Sequence, residues 1–205
     1  MEELRGSWGP LVEEACRVSS FAAELAALSE PELAPLTDYL ATLPALPFRY
    51  LSVHAPSKHR ELPEAEFVAA LSDLPTFVDA IVVHPDRIED PAAYRPLGAR
   101  LVIENMDSRK AFGRFGDELE GLFVALPEAG FCFDIAHAWS VDPEMEVGAD
   151  LLDRFACRLR HVHLSSVDER ASHVPLRADH EALFEPLLGR CRDVPWMLEA
   201  PPRLI

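Results

Sequence analysis

The amino-acid sequence predicts an α/β fold of the TIM type, a compact (βα) barrel formed as a single domain over residues 1–205. Two observations lead to this prediction. Short apolar segments of strand length alternate with amphipathic segments of helical period, which is typical of parallel strands joined by right-handed crossovers. Most of the apolar segments also end at a residue that can bind a metal ion.

Seven segments have the length and composition of strands, and most are rich in β-branched or aromatic residues. They are residues 21–28, 49–53, 80–83, 100–103, 130–133, 160–164 and 195–198. Helical periodicity is found between them, in residues 30–43, 64–74, 116–126, 148–155 and 179–188. Residues 1–10 contain no convincing strand, so we expect the first strand of the barrel to be degenerate or missing and the barrel seam to be open.

The polar residues favour a closed barrel over an open sheet. From the second apolar segment onward, each segment ends in a His, Glu or Asp, and these residues are 20 to 36 positions apart, about the length of one βα unit. They are His54, His84, Glu104, Asp134, His163 and Glu199. An open sheet would spread these strand ends along a line, whereas a barrel brings them together at its C-terminal face.

These six side chains offer nitrogen and oxygen ligands without sulfur, a set that suits Zn, Mn or Fe better than Mg or Ca. A single His or acid at a strand end is more often a cap or a loop contact. Six together at one barrel mouth would place acids in mutual repulsion unless a cation neutralised them. We therefore expect a divalent metal centre.

The pattern resembles the xylose-isomerase-like TIM barrels, and within them the endonuclease IV and sugar isomerase-epimerase branch, over about residues 21–201. The resemblance implies that one metal ion is held by Glu104, Asp134, His163 and Glu199. It further implies that His54 and His84 share Glu104 to hold a second metal ion.

A third metal site in the endonuclease-like branch uses a His three residues after the Asp and a later Asp-x-His motif. His137 keeps the first spacing, but the later motif reads Ala171-Ser172-His173 and lacks the aspartate. Three interpretations of His137 and His173 stay open: they hold a third metal ion with help from Asp168 or water, they contact substrate, or they are structural residues.

Other residues close to these ligands are candidates for substrate binding. Lys58 and Arg60 follow His54, and Arg109 and Lys110 follow Glu104, where they either clamp an anionic group or are ordinary solvated cations. Asn105 and Trp139 are candidates for lining the pocket. The strand alternation places the side chains of Cys132, His161 and Met197 inside the barrel.

Four functions fit this site. The leading hypothesis is hydrolysis of a small phosphoester by two metal ions. The alternative is a sugar isomerase or epimerase that uses one metal ion, with Glu104 and Glu199 as acid and base. The others are a multinuclear iron oxidase acting on a peptide and a non-catalytic barrel that binds a metal or ligand.

Charge and hydropathy exclude several classes of partner. The chain has 35 acidic and 19 basic residues and a formal net charge of −16, which argues against stable nucleic-acid binding. No apolar run approaches the roughly 18 residues of a membrane span, and residues 1–5 do not resemble a signal peptide, so we expect a cytoplasmic protein. An open seam would expose strand edges, which makes a homodimer a further expectation.

Overall fold

Seven parallel strands form the core of the computed structural model, which describes residues 6–58 and 61–200. The strands are β1 (Ala22–Ala26), β2 (Tyr50–His54), β3 (Ala80–Val83), β4 (Leu101–Glu104), β5 (Gly130–Asp134), β6 (Leu159–Leu164) and β9 (Trp196–Leu198). They pair in chain order, each parallel to the next. A short antiparallel hairpin, β7 (Ser166–Val167) with β8 (His173–Val174), extends from the end of β6.

Helices connect most of the strands. They are α1 (Trp8–Val18), α2 (Glu30–Ala41), α3 (Glu64–Ser72), α4 (Gly116–Ala125), α5 (Ile135–Val141), α6 (Glu146–Phe155) and α7 (Ala178–Leu188). Between β3 and β4 the connection is made by 3-10 turns over Pro91–Arg100, interrupted at Gly98, where φ is 55°. Because a positive φ favours glycine, Gly98 allows the chain to change direction before it enters β4.

The sheet curves into a nearly closed barrel. Its terminal strands, β1 and β9, contact each other, although no hydrogen-bonded ladder joins them among the residues that the structure describes. The predicted TIM-type α/β fold is therefore confirmed. Residues 8–18, which precede β1, form a helix and not a strand, in agreement with a missing first strand and an open seam.

Successive side chains along each strand point alternately into the barrel and outward against the helices. Ala80, Val82, Val102 and Cys132 form a fully buried cluster against Tyr50. The residues between them belong to the larger core that packs against the helices. The interior position expected for Cys132 follows from this alternation, since successive side chains in a strand point to opposite faces.

The helices are held to the sheet by apolar faces of the expected period. In α2, for example, Leu33, Leu36 and Leu40 are buried at spacings of three and four residues, so they lie on one side of the helix. No helix within residues 6–58 and 61–200 is both long and apolar enough to cross a membrane.

Candidate metal centre

The strand ends bring the six predicted ligands together at one end of the barrel. With two further histidines they form three overlapping clusters, and within each cluster the possible ligand atoms lie within 4.8 Å of one another. We call them the histidine cluster (His54, His84, Glu104), the quartet cluster (Glu104, Asp134, His163, Glu199) and the outer cluster (Asp134, His137, His173). Glu104 belongs to the first two clusters and Asp134 to the last two.

Glu104 divides its two carboxylate oxygens between neighbouring clusters. Its Oε2 lies 3.3 Å from Nε2 of His54 and 3.1 Å from Nε2 of His84. Its Oε1 lies 3.0 Å from Nδ1 of His163 and 3.5 Å from Nδ1 of His137. The side chain is fully buried, so its two oxygens face two different clusters of possible ligands.

Backbone carbonyls fix the orientation of two of the histidine rings. Nδ1 of His54 lies 2.9 Å from the carbonyl oxygen of Ala55, and Nδ1 of His137 lies 2.9 Å from that of Asn105. A carbonyl oxygen can only accept, so both Nδ1 atoms donate. In the neutral rings Nε2 then carries the lone pair that a metal ion would use, the usual arrangement for a ligating histidine.

Asp134 is held from both sides. The side chain of Asn105 donates from Nδ2 to the Asp134 carbonyl and accepts from the Asp134 backbone N–H through Oδ1, both at 2.8 Å. Oδ1 of Asp134 accepts from the backbone N–H of His137 at 2.6 Å and so caps α5. The other oxygen, Oδ2, has no hydrogen-bond partner although it is buried.

The acids and histidines perturb one another strongly. Burial, followed by the charges of Glu199 and Glu104, raises the pKa of Asp134 well above its ordinary value. Burial would also raise the pKa of Glu104, but His163, His54 and His84 around it lower it well below the usual range. Burial alone would lower the pKa of His54, yet its contact with Glu104 raises that pKa to about 9.

The buried acids provide the test of whether a metal ion fits. Oδ2 of Asp134 and Oε2 of Glu199 are buried without a hydrogen-bond partner, in a pocket where Glu104 adds a third carboxylate. Buried carboxylate oxygens without a hydrogen bond are costly, and a divalent cation would satisfy both oxygens at once. The nitrogen and oxygen donors are those that Zn, Mn and Fe accept, so the residues present fit such an ion.

The outer cluster has two histidines and one acid. Nδ1 of His173 lies 2.8 Å from Oγ of Ser165 and 3.1 Å from Oε2 of Glu199. Asp168, considered as a substitute for the missing aspartate, is exposed and accepts hydrogen bonds from the backbone N–H groups of Arg170 and Ser172. Asp168 therefore stabilises the turn between β7 and β8. It does not belong to any of the three clusters.

The residues predicted to bind substrate have different surroundings. Asn105 is fully buried and its amide is used by Asp134. Trp139 on α5 is half-buried and its ring packs 4.3 Å from that of His180.

Of the cations predicted to bind substrate, Lys58 is exposed in the loop after β2. Arg109 is half-exposed and donates to both oxygens of Asp107, while Arg60 lies outside the described residues.

Sequence reasoning did not select two acids that lie close to the clusters. Glu24, in the middle of β1, has Oε1 3.1 Å from Nε2 of His163. Asp107 is buried in the loop after β4, with Oδ2 3.9 Å from Nε2 of His137. Burial would raise the pKa of Asp107, but its hydrogen bonds from Arg109 lower it to about 2. A single charged residue in the segment Ala-Ala-Glu-Leu-Ala was the signal for Glu24.

A nearly closed barrel of parallel strands with clustered His, Asp and Glu at its C-terminal end defines a class of βα-barrel proteins. The model of the xylose isomerase-like TIM barrel family matches residues 86–202, more than half of the chain, and the chain belongs to that family. No curated protein sequence matches it.

Solved structures of similar fold include two enzymes. Endonuclease IV from Thermus thermophilus superposes with a TM-score of 0.63 and 24% sequence identity, covering 95% of this chain and 87% of that one. A D-psicose 3-epimerase, solved in the presence of D-fructose, superposes with a TM-score of 0.56 and 15% identity, covering 95% of this chain and 79% of that one. At these identities the likeness extends to the fold alone.

Proposed function

We propose that this chain is a metal-dependent hydrolase in which two divalent ions, joined by Glu104, act on a small phosphoester. The proposal depends on the position of the Glu104 carboxylate between two clusters. Its Oε2 faces His54 and His84, and its Oε1 faces His163. A carboxylate between two ligand clusters is typical of paired metal sites. An enzyme with one metal ion has no need of the histidine cluster.

When bound, the ions would supply Lewis acidity and a hydroxide at neutral pH. The residues of the chain hold and orient them. The quartet cluster and the histidine cluster would be the two metal sites, with Zn, Mn or Fe as the ions and the outer cluster as a third, weaker site. Asn105 fixes Asp134, and the carbonyl of Ala55 fixes His54.

Glu199 is the acid best placed to exchange a proton with substrate or water. Its side chain is 18% exposed, whereas that of Glu104 is 1% exposed, and it lies between His163 and His173. We propose Glu199 as the acid or base and Glu104 as the bridging ligand. Arg109, held in place by Asp107, and Lys58 are the cations proposed to attract the anionic substrate.

A small substrate fits the charge of the chain better than DNA does. Endonuclease IV, a protein of similar fold, acts on nucleic acid according to its name. The formal charge of −16 on the present chain repels a phosphate backbone. A compact phosphomonoester or diester has fewer charges to bring near the acidic surface.

A second candidate is a sugar epimerase. The quartet cluster favours this function, because its four possible ligands do not include His54 or His84. Two of the four, Glu104 and Glu199, are glutamates that lie around one site. The fold similarity to D-psicose 3-epimerase is compatible with this function. Here Glu104 and Glu199 would move a proton beside a carbonyl.

The double variant His54→Ala with His84→Ala separates the two candidates. If the proposal is correct, hydrolysis of p-nitrophenyl phosphate and of its diester should fall about 100-fold or more, because the variant lacks the two histidines that would hold the second ion and its Lewis acidity. The matched control is His180→Gln, which replaces a buried histidine outside the three clusters and should keep the activity. Retained ketose epimerisation in the double variant, without hydrolysis in the wild type, would contradict the proposal.

A further inference from the structure

A column of polar side chains continues from the quartet cluster into the interior of the barrel. It consists of Glu24 on β1, Tyr50 and Ser52 on β2, and His161 and His163 on β6. Glu24 and Ser52 are register partners on adjacent strands, so their side chains lie on the same face of the sheet. His161 and His163 are two residues apart and also share a face.

His163 has its two ring nitrogens in different surroundings. Nδ1 faces the quartet cluster, 3.0 Å from Oε1 of Glu104 and 3.2 Å from Oε1 of Glu199. Nε2 faces the other way and lies 3.1 Å from Oε1 of Glu24, close in distance but not aligned as a hydrogen bond. The ring is fully buried, and Glu24 is the acid within reach of that nitrogen.

The other oxygen of Glu24 is held in place. Oε2 accepts a hydrogen bond of 2.6 Å from Oγ of Ser52 and lies 3.6 Å from Nε2 of His161. His161 is in turn 2.7 Å, through Nδ1, from the hydroxyl of Tyr50. The carboxylate therefore has a fixed position on the side of His163 that faces away from the quartet cluster.

We propose that Glu24 is a positioning residue that keeps the proton of His163 on Nε2 and so directs the Nδ1 lone pair to a metal ion in the quartet cluster. Carboxylates commonly accept the second ring N–H of a ligating histidine, and this contact fixes both the tautomer and the ring orientation. The inference rests on the metal-binding part of the proposed function, but not on the reaction.

The test compares Glu24→Gln with Tyr50→Phe, using Co²⁺ as the probe. Glu24→Gln replaces the carboxylate that faces His163. Tyr50→Phe removes a hydroxyl of the same column that contacts His161 and not His163. Co²⁺ affinity is measured by competition with a chromophoric chelator, and the ligand field is followed by the visible absorption of bound Co²⁺. The melting temperature of each metal-free variant is measured in parallel.

We expect Glu24→Gln to weaken Co²⁺ binding at the quartet cluster about 10- to 100-fold and to change its visible spectrum. Tyr50→Phe should lower the melting temperature and leave affinity and spectrum unchanged. If Glu24→Gln does not fold, Glu24→Asp, which withdraws the carboxylate from His163 by one methylene, should weaken binding in the same direction.

Equal Co²⁺ affinity in wild type and the Glu24 variant would overturn the inference, as would an equal loss in both variants. A wild type that binds no Co²⁺ would overturn both this inference and the proposed function. Weakened Co²⁺ binding in Glu24→Gln, with no phosphoester hydrolysis by the metal-loaded wild type, would uphold the inference and remove only the proposed reaction.

Discussion

At the scale of single residues, Glu104 and Asp134 have the same chemistry in different surroundings. Three histidines stabilise the charged form of Glu104, which lowers its pKa. Asp134 lies among other acids, and burial together with Glu199 and Glu104 raises its pKa. Histidines thus surround the first carboxylate, whereas other acids surround the second.

Glu104 should contribute more to metal binding than any single histidine. We expect Glu104→Ala to remove about two metal equivalents and His137→Ala at most about one, because Glu104 belongs to two clusters and lies between them. Elemental analysis of both variants, purified side by side, checks this. Equal losses from the two variants would show that Glu104 is not shared between metal sites.

The strand-end ligands could be predicted from the sequence, but Glu24 could not. Each strand-end residue closes an apolar run, and parallel strands in a barrel bring such ends together. Glu24 lies in mid-strand, and the role proposed for it depends on a contact with His163, which lies on a strand far away in sequence. A charged residue inside an apolar segment marks Glu24 as unusual, but the local pattern does not identify His163 as its partner.

At the scale of elements, all seven predicted strands are present, with bounds shifted by at most a few residues. Strands that are buried on both faces, such as β3, β4 and β5, are identified by short continuous apolar runs. Helices α1 and α5 were not predicted. Helix α5 is short and begins directly at Asp134, whose side chain caps it, so its start depends on a residue that also serves the site.

The loop after β4 provides a test of backbone conformation close to the site. Gly113 has φ 91°, and an added Cβ would lie 2.3 Å from Cγ of Pro85 and 2.9 Å from Cγ of Met106. Its carbonyl accepts the backbone N–H of Met106, which ties the loop to the end of β4. Gly113→Ala should therefore destabilise the fold by about 2 to 4 kcal/mol.

Gly121 is the matched control for this substitution. It lies on the exposed side of α4, with no atom within 4 Å of an added Cβ, so Gly121→Ala should stabilise the protein by up to about 1 kcal/mol. Urea unfolding of both variants gives the two free energies of unfolding. Equal stability of the two variants would contradict the account of the β4 loop.

At the scale of the whole molecule, the barrel brings several acids into one buried site while the chain as a whole is also strongly acidic. Its seam lies between β1 and β9, where Phe21, Trp196 and Leu198 are exposed. A homodimer that covers this seam stays a prediction.

Metal binding should stabilise the whole fold because it relieves the repulsion between the buried acids. At a free metal concentration 100 times the dissociation constant, one site contributes about 2.7 kcal/mol. For a chain of this length that corresponds to a rise in melting temperature of about 5 to 10 °C. Calorimetry before and after chelation measures the rise, and identical melting temperatures in both states would argue against a metal bound among Glu104, Asp134 and Glu199.

The most direct test of the central claim is the ratio of metal to protein, determined by elemental analysis of anaerobically purified wild type and of the variant His54→Ala with His84→Ala. If Glu104 joins two metal sites, the wild type should contain about two or more equivalents, and the double variant about one fewer with its fold intact. An identical ratio in both proteins, or a wild type with less than about one equivalent, would contradict the account.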